Sequence, residues 1–296
     1  MEKMPLVSIL LLSMNHERYV EQCVSSIVQQ TYKNLEIVYL DNASTDNTFL
    51  KTKKIIESSG FPFRCFNNTI SKNISQNFNF LLSISTGSLI SPLSTDDWFE
   101  RENIERKVEH FLKNKEVGVV FSNGWIFNET EKTTILNDPT NFKRGNIYNA
   151  LLTQPDCIFY VGVMYKREII EKVGKWDETL IIEDTDLYVR LSLVTKFDYL
   201  PIPLVYYRRT SSSASKNKKF MIKGFRQYYE KYKYVEWVNM RAWLSDKYRS
   251  MAASCVDEGE FKDARNFLIK AIAINPIEMQ NFRTLFYLIR KSFKKS

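Results

Sequence analysis

Three acidic clusters hold the chemistry that this chain of 296 residues could perform: Asp41-Asn42-Ala43-Ser44-Thr45-Asp46, Ser94-Thr95-Asp96-Asp97 and Glu183-Asp184. Grouped carboxylates can ligate hard cations, which take oxygen donors, or accept a proton from an attacking hydroxyl. Each cluster also has a plain structural reading, because a side-chain oxygen at a helix start accepts from free backbone N–H groups. Asp46 is placed to cap a helix beginning at Asn47, Asp96 or Asp97 one running through Glu100 to Phe111, and Glu183-Asp184 one through Tyr188 to Leu193. Chemistry gains ground from their joint occurrence, in the right order for a single crevice.

The elements that must position these clusters alternate between strand and helix patterns. Val7 to Leu12 is a continuous apolar run, as in a strand covered on both faces. Val20, Cys23, Val24, Ile27 and Val28 keep the spacing of an amphipathic helix. Leu35 to Leu40, Leu89 to Leu93 and Val117 to Phe121 read as further strands. Thr48 to Ser58, Asn77 to Ser85 and a stretch marked by Ile104, Val108, Phe111 and Leu112 read as helices. Repeated strand–helix–strand units imply an α/β fold with a doubly wound, mostly parallel sheet. Such sheets bind ligands beyond the carboxyl ends of their strands. The first acidic cluster follows the second predicted strand, and Ser94 to Asp97 follow the third. Residues 128–160 read as surface segments over the sheet, with helical periodicity returning at Lys166 to Val173 and Asp184 to Leu193. Thr210 to Lys219 reads as a linker or mobile loop, and 220–293 as helical throughout.

Composition narrows the field further. A hydrophobic fraction of 44% with only 9 Gly and 8 Pro excludes disordered, fibrous and low-complexity chains. Four widely separated cysteines and two histidines, His16 and His110, exclude a disulfide framework and a His-rich metal site, and fit a reducing, cytoplasmic setting. The GxGxxG and GxxxxGKS phosphate loops are absent. No run reaches the roughly 20 apolar residues that span a bilayer. Pro5 to Met14 lacks a small-x-small cleavage pattern and reads as a buried strand rather than a signal segment.

The net charge of +8 is uneven, with 20 basic and 8 acidic residues from Arg208 onward against 22 and 26 before it. Asn281 to Lys295 has the pattern of a basic amphipathic helix, suited either to an anionic membrane surface or to packing on the protein itself. A solvated, lysine-rich helical surface accounts for the same charge. Nucleic acid is not expected as a partner, because no binding motif is present and the aromatics keep core-like spacing. Gly259, Ala264, Ala271 and Pro276 resemble the second half of a tetratricopeptide repeat, in which small residues let two helices approach closely; an ordinary helical hairpin is the alternative.

Several segments together resemble family 2 glycosyltransferases. Val7 to Asn15 resembles the family's VSVIIPTYN, Ile27 to Ile37 its SILxQTYxNxEI, and Asp41 to Thr48 its DDGSTDNT. Asn79, Gly87 and Ser94 to Asp97 follow its N-x(7)-G and DxDD order, Val173 to Glu178 its VGxFDE, and Glu183 to Leu187 its EDxDL. The resemblance spans about residues 5–215. It implies a GT-A domain over 1–215, with a nucleotide-binding half at 1–125 and an acceptor half at 126–215, followed by a basic helical extension over 216–296. It implies inverting transfer from a nucleotide-sugar, a UDP-sugar first among candidates, to a glycan or lipid-linked glycan acceptor in surface polysaccharide synthesis. Ser13, Asn15, Asp41 and Asp96 would bind the nucleotide, and Asp96 and Asp97 a Mn²⁺ or Mg²⁺. Asp184 would be the general base, with Glu183 orienting it. Three residues depart from the pattern: Ser94 for the first acid of DxD, Met14 for the tyrosine of PTYN, and Thr210 where many relatives carry histidine. If metal binding is lost, Arg208, Arg209 or nearby lysines are the cations left for the leaving charge. The alternatives are a nucleotidyltransferase that makes the nucleotide-sugar, and a non-catalytic, partner-binding relative.

Overall fold

The structure, a computed structural model, describes residues 4–210 and 216–293. The described chain falls into two compact units, one of Met1–Glu178 with Glu183–Ser211, the other of Thr179–Ile182 with Ser212–Ser296.

The first unit is built on a nine-stranded sheet. Its centre is β1 (Val7–Ser13), which pairs in parallel with β2 (Leu35–Asp41) on one side and β4 (Leu89–Ser94) on the other. Every residue of β1 and β2 is buried, which is why both read as mostly apolar runs with no alternation, Ser8 and Glu36 apart. Outside β2 lies β3 (Phe63–Asn67), also parallel. Beyond β4 the sheet turns mixed, through β8 (Met164–Lys166), β6 (Val117–Asn128), β9 (Lys196–Arg209) and β5 (Trp98–Phe99), with β7 (Thr133–Leu136) paired to β6. The parallel half is crossed by α1 (Val20–Val28), α2 (Thr48–Glu57) and α3 (Ile74–Ile84), and α4 (Asn103–Lys113) leads from β5 into β6. Short α5 (Tyr148–Thr153) and α6 (Arg167–Lys172) precede α7 (Glu183–Ser192).

The α/β, doubly wound expectation holds, with boundaries shifted. Helix α3 starts three residues early, at Ile74, because Asn73 and Gln76 form a reciprocal capping box. Of the expected caps, Asp46 alone acts at a helix start, accepting from Thr48 N–H at 3.0 Å. Asp96 and Asp97 do not cap α4. The chain first forms β5, and Glu102 occupies the cap position. Asp184 already lies inside α7 and accepts from its own neighbour, Thr185 N–H, at 2.6 Å.

Gly87 shows how tightly the sheet is closed. A Cβ there would lie 2.5 Å from Ser8 Oγ and 2.7 Å from the Leu6 carbonyl oxygen. Its N–H donates to Ser8 Oγ and to Glu36 Oε1, a buried carboxylate that Thr86 and Arg64 also hold. Burial alone would raise Glu36; the donors outweigh it and hold its carboxyl below the ordinary value.

The second unit is helical: α8 (Lys218–Tyr232), α9 (Met240–Glu258), α10 (Phe261–Ile274) and α11 (Met279–Phe293). Gly259 closes α9 in the left-handed conformation that favours glycine. The next helix begins two residues later, giving the hairpin read from the small-residue spacing. Ala264 and Ala271 are fully buried, and Ser245 Oγ reaches the Ala271 carbonyl at 2.8 Å. Residues 211–215 of the expected linker, and Lys294 and Lys295 of the expected amphipathic helix, lie outside the described residues. No helix among the described residues is long and apolar enough to cross a membrane. The four cysteines are unpaired.

Candidate active site

Two of the acidic segments lie at the carboxyl ends of neighbouring parallel strands, β2 and β4, on either side of β1. Asp41 ends β2 beside Ser13, its register partner on β1. Both residues are buried, and the Asp41 carboxylate accepts from Ser13 Oγ at 2.8 Å, Ser44 Oγ at 2.6 Å and Ser44 N–H at 2.8 Å. The Asp41 side chain therefore shapes the turn after β2. Asn15, exposed and at φ 55°, ties the β1 loop to that turn by accepting from Thr45 N–H at 2.9 Å. Asn42 continues the same wall, donating to Ser71 Oγ and the Lys72 carbonyl. Met14 is exposed at its edge.

At the end of β4 the two aspartates behave differently. Asp97 is buried and accepts from Arg208 N–H at 2.8 Å; burial first, then the charge of Asp96, pushes its carboxyl well above the usual range. Asp96 Oδ1 is buried without a hydrogen-bond partner and lies 4.0 Å from His16 Nδ1. An orphaned buried carboxylate oxygen is rare enough to call for an unseen partner. No group of three or more His, Cys, Asp or Glu converges on a metal position among the described residues. Mg²⁺ typically uses only one or two protein carboxylates and completes its shell with phosphates and water. The residues present thus fit a divalent cation held jointly with a donor diphosphate, and do not form a self-sufficient cage.

Sequence reasoning missed what organises this end. Arg208, on β9, lies 4.6 to 5.1 Å from the rings of Tyr19, Trp98 and Phe127. Its guanidinium donates to the Asp96 carbonyl, to Glu129 and to Gln22. The side chain is buried and committed on every edge, which corrects the expectation that it could stand in for a metal at the leaving phosphate. It pins the Asp96-Asp97 turn instead. His16, set aside on composition, is in that turn's contact shell, with Nδ1 paired to Thr95 Oγ1 at 2.9 Å.

A cavity of about 250 Å³ brings the β4 end and α7 together, lined by Ser94, Asp97, Glu183 and Asp184. Burial, then the charge of Asp184, pushes Glu183 up to about 8. Burial raises Asp184 as well, partly offset by the Thr185 N–H. Two adjacent carboxylates held largely out of water disfavour ionising together. Aromatic rings line the rest, among them Tyr160, Tyr188, Phe78 and Trp176. Trp176 stacks on Phe78 with ring centroids 5.4 Å apart. Asn79 clamps it from α3, accepting from Trp176 N–H at 3.1 Å and donating to the Trp176 carbonyl at 2.9 Å. Gly162, at φ 66°, forms another stretch of wall. Its carbonyl accepts from the fully buried Lys107 Nζ at 2.7 Å.

Residues 8–174 match the glycosyl transferase family 2, and the chain belongs to that family. It is 28% identical over 219 residues to a UDP-Glc:alpha-D-GlcNAc-diphosphoundecaprenol beta-1,3-glucosyltransferase of Escherichia coli, covering 73% of this chain and 82% of that protein. A chondroitin synthase of Pasteurella multocida is 27% identical over 67% of this chain and 20% of its own length. In fold, the chain is similar to S. aureus TarS 1-349 in complex with UDP-GlcNAc, at TM-score 0.67 and 13% identity over 96% of this chain and 87% of that one. It is similar also to the Pyrobaculum calidifontis mannosyltransferase PcManGT in complex with GDP-Man and Mn²⁺, at TM-score 0.62 and 17% identity over 99% and 87%. The chain is a glycosyltransferase with a GT-A-like fold, and the nucleotidyltransferase alternative falls away.

Proposed function

We propose that this enzyme transfers a sugar from a nucleotide-sugar, with UDP as the first candidate nucleotide, to a hydroxyl of a lipid-linked glycan, inverting the anomeric centre. The observation that carries the reading is the single cavity in which the β4 end and the Glu183-Asp184 pair face each other. The diphosphate-lipid acceptor named for the E. coli relative supports the acceptor class.

Asp184 takes the proton of the acceptor hydroxyl as that oxygen attacks the anomeric carbon. The bond to the donor's phosphate oxygen breaks, and the nucleoside diphosphate leaves with the electron pair. Asp184 must be ionised to act, and a proton kept on Glu183 would leave it so. Displacement from the opposite face converts an α-linked donor into a β-glycoside without a covalent enzyme intermediate. Asp96 and Asp97 would hold a Mn²⁺ or Mg²⁺, which as a Lewis acid supplies stabilisation of the departing charge. Ser13 and Asn15 line the nucleotide crevice, and Asp41 maintains its floor. We place the reaction at the cytoplasmic membrane face, where lipid-linked acceptors are elongated.

Calorimetric titration with UDP, GDP and CDP, with and without Mn²⁺, on wild type and Asp96→Ala tests the donor half of this reading. Metal-enhanced binding of one nucleotide, lost in Asp96→Ala, is expected. Equal binding by both proteins would remove Asp96 from the site.

A further inference from the structure

A second cavity lies in the helical unit. It measures about 860 Å³, within the range of small-molecule sites. Its buried floor is apolar: Leu180, Ile222, Tyr248 and Phe267. Its walls are cationic. Lys219, Lys223 and Arg226 recur along one face of α8, and Lys270 faces the same space from α10.

The two carboxylates on the lining do not neutralise these cations. Asp263 lies 3.6 Å from Lys219, at the exposed rim. Glu230 pairs with Lys233, outside the cavity, at 2.7 Å. Lys223, Arg226 and Lys270 have no ion-pair partner among the described residues, and the Lys270 ammonium lies 5.8 Å from the Tyr248 ring centroid. Like charges one turn apart weaken a helix, so the stripe is a cost to the fold in the absence of a counter-charge. A concave, low-dielectric surface also focuses the field of such a stripe into the space it encloses.

We propose that this cavity binds a diphosphate esterified to an apolar chain, the anionic end on Lys223, Arg226 and Lys270 and the chain on the apolar floor. A bare anion would leave the apolar lining unused, and an uncharged lipid would leave the three cations unpaired. The inference deepens the lipid-linked acceptor reading and rests on it for its biological meaning. It gives the helical unit a role in holding the acceptor's carrier.

The test is calorimetric titration of the full chain with farnesyl diphosphate, with saturating UDP present to block the donor site. Farnesol and inorganic pyrophosphate serve as the two half-ligands. Wild type is expected to bind farnesyl diphosphate at least tenfold more tightly than either half-ligand. The double variant Lys223→Ala, Arg226→Ala should lose at least tenfold, with UDP affinity unchanged and thermal midpoint not lowered, since both side chains are exposed. A charge-reversed pair, Lys223→Glu with Arg226→Glu, should abolish binding. Equal affinity in wild type and both variants would overturn the site, and so would pyrophosphate binding as tightly as farnesyl diphosphate. Failure of the transferase reading is separable. Ligand binding without sugar transfer from any donor would sink the proposed reaction and keep the site, whereas transfer without ligand binding would sink the site alone.

Discussion

Two cavities, one in each unit of this molecule, are built on opposite principles. In the sheet unit, about 250 Å³ of space is enclosed by aromatic rings and by acids whose surroundings push them toward the protonated form. In the helical unit, about 860 Å³ is bounded by cations with few internal partners. The first environment changes protonation states, as proton-transfer catalysis needs. The second leaves fixed charge exposed to a ligand, as binding needs. Catalytic and binding functions are thus separable by the electrostatics of their walls, before any substrate is considered.

The sharpest way to break this contrast is to neutralise the acids. Asp184→Asn should lower the rate of sugar transfer by 10² to 10⁴, with nucleotide affinity intact by titration. Retained activity would support the non-catalytic reading. Glu183→Gln should retain more activity than Asp184→Asn, because it leaves the ionised partner in place. It should also shift the stability profile. A carboxyl whose folded pKa is raised costs the native state stability as pH rises from the ordinary carboxylate range through the raised value, here about 8. Glu183→Gln should therefore be the more stable protein at pH 9, by on the order of 1 kcal/mol in urea titration, and indistinguishable at pH 4.

Gly87→Ala probes the frame rather than the site. A Cβ 2.5 Å from Ser8 Oγ and 2.7 Å from backbone must displace β1 or the Glu36 network. A loss of about 3 kcal/mol is expected by chemical denaturation, and a change under 1 kcal/mol would show that the neighbours yield.

Lys107 probes the frame through its pH dependence. Burial pushes its ammonium down to about 7. Between pH 7 and the ordinary lysine value, the unfolded chain holds a proton that the native protein releases, so stability rises with pH across that window, by at most about 1.4 kcal/mol per pH unit. Lys107→Met should flatten this rise. An unchanged slope would mean that the lysine stays charged while holding the Gly162 carbonyl.

The same contrast explains what could be read from the residues alone. Strands β1, β2 and β4 were legible because burial, complete in β1 and β2 and over most of β4, makes them largely apolar runs ending in polar clusters. Strand β3 was not, because it is a half-exposed edge without clean alternation. Nor was β9, whose Pro201 and Pro203 lack the N–H that a ladder needs. Its pairing with β6 shifts register around Asn123, the partner of Pro203. Asp96, Asp97, Glu183 and Asp184 were legible as clusters, and the structure sets Asp97, Glu183 and Asp184 along one cavity. The Arg208 cage was not, because Tyr19, Trp98 and Phe127 come from three separate segments and no spacing links them.

The central claim, that a carboxylate in the sheet cavity drives a single displacement, is tested most directly by the anomeric configuration of the product. The wild-type enzyme would be given an α-linked UDP-sugar and a lipid-linked acceptor, and the new glycosidic bond read by NMR. A β-glycoside is predicted. An α-glycoside would contradict the single displacement and the role given to Asp184.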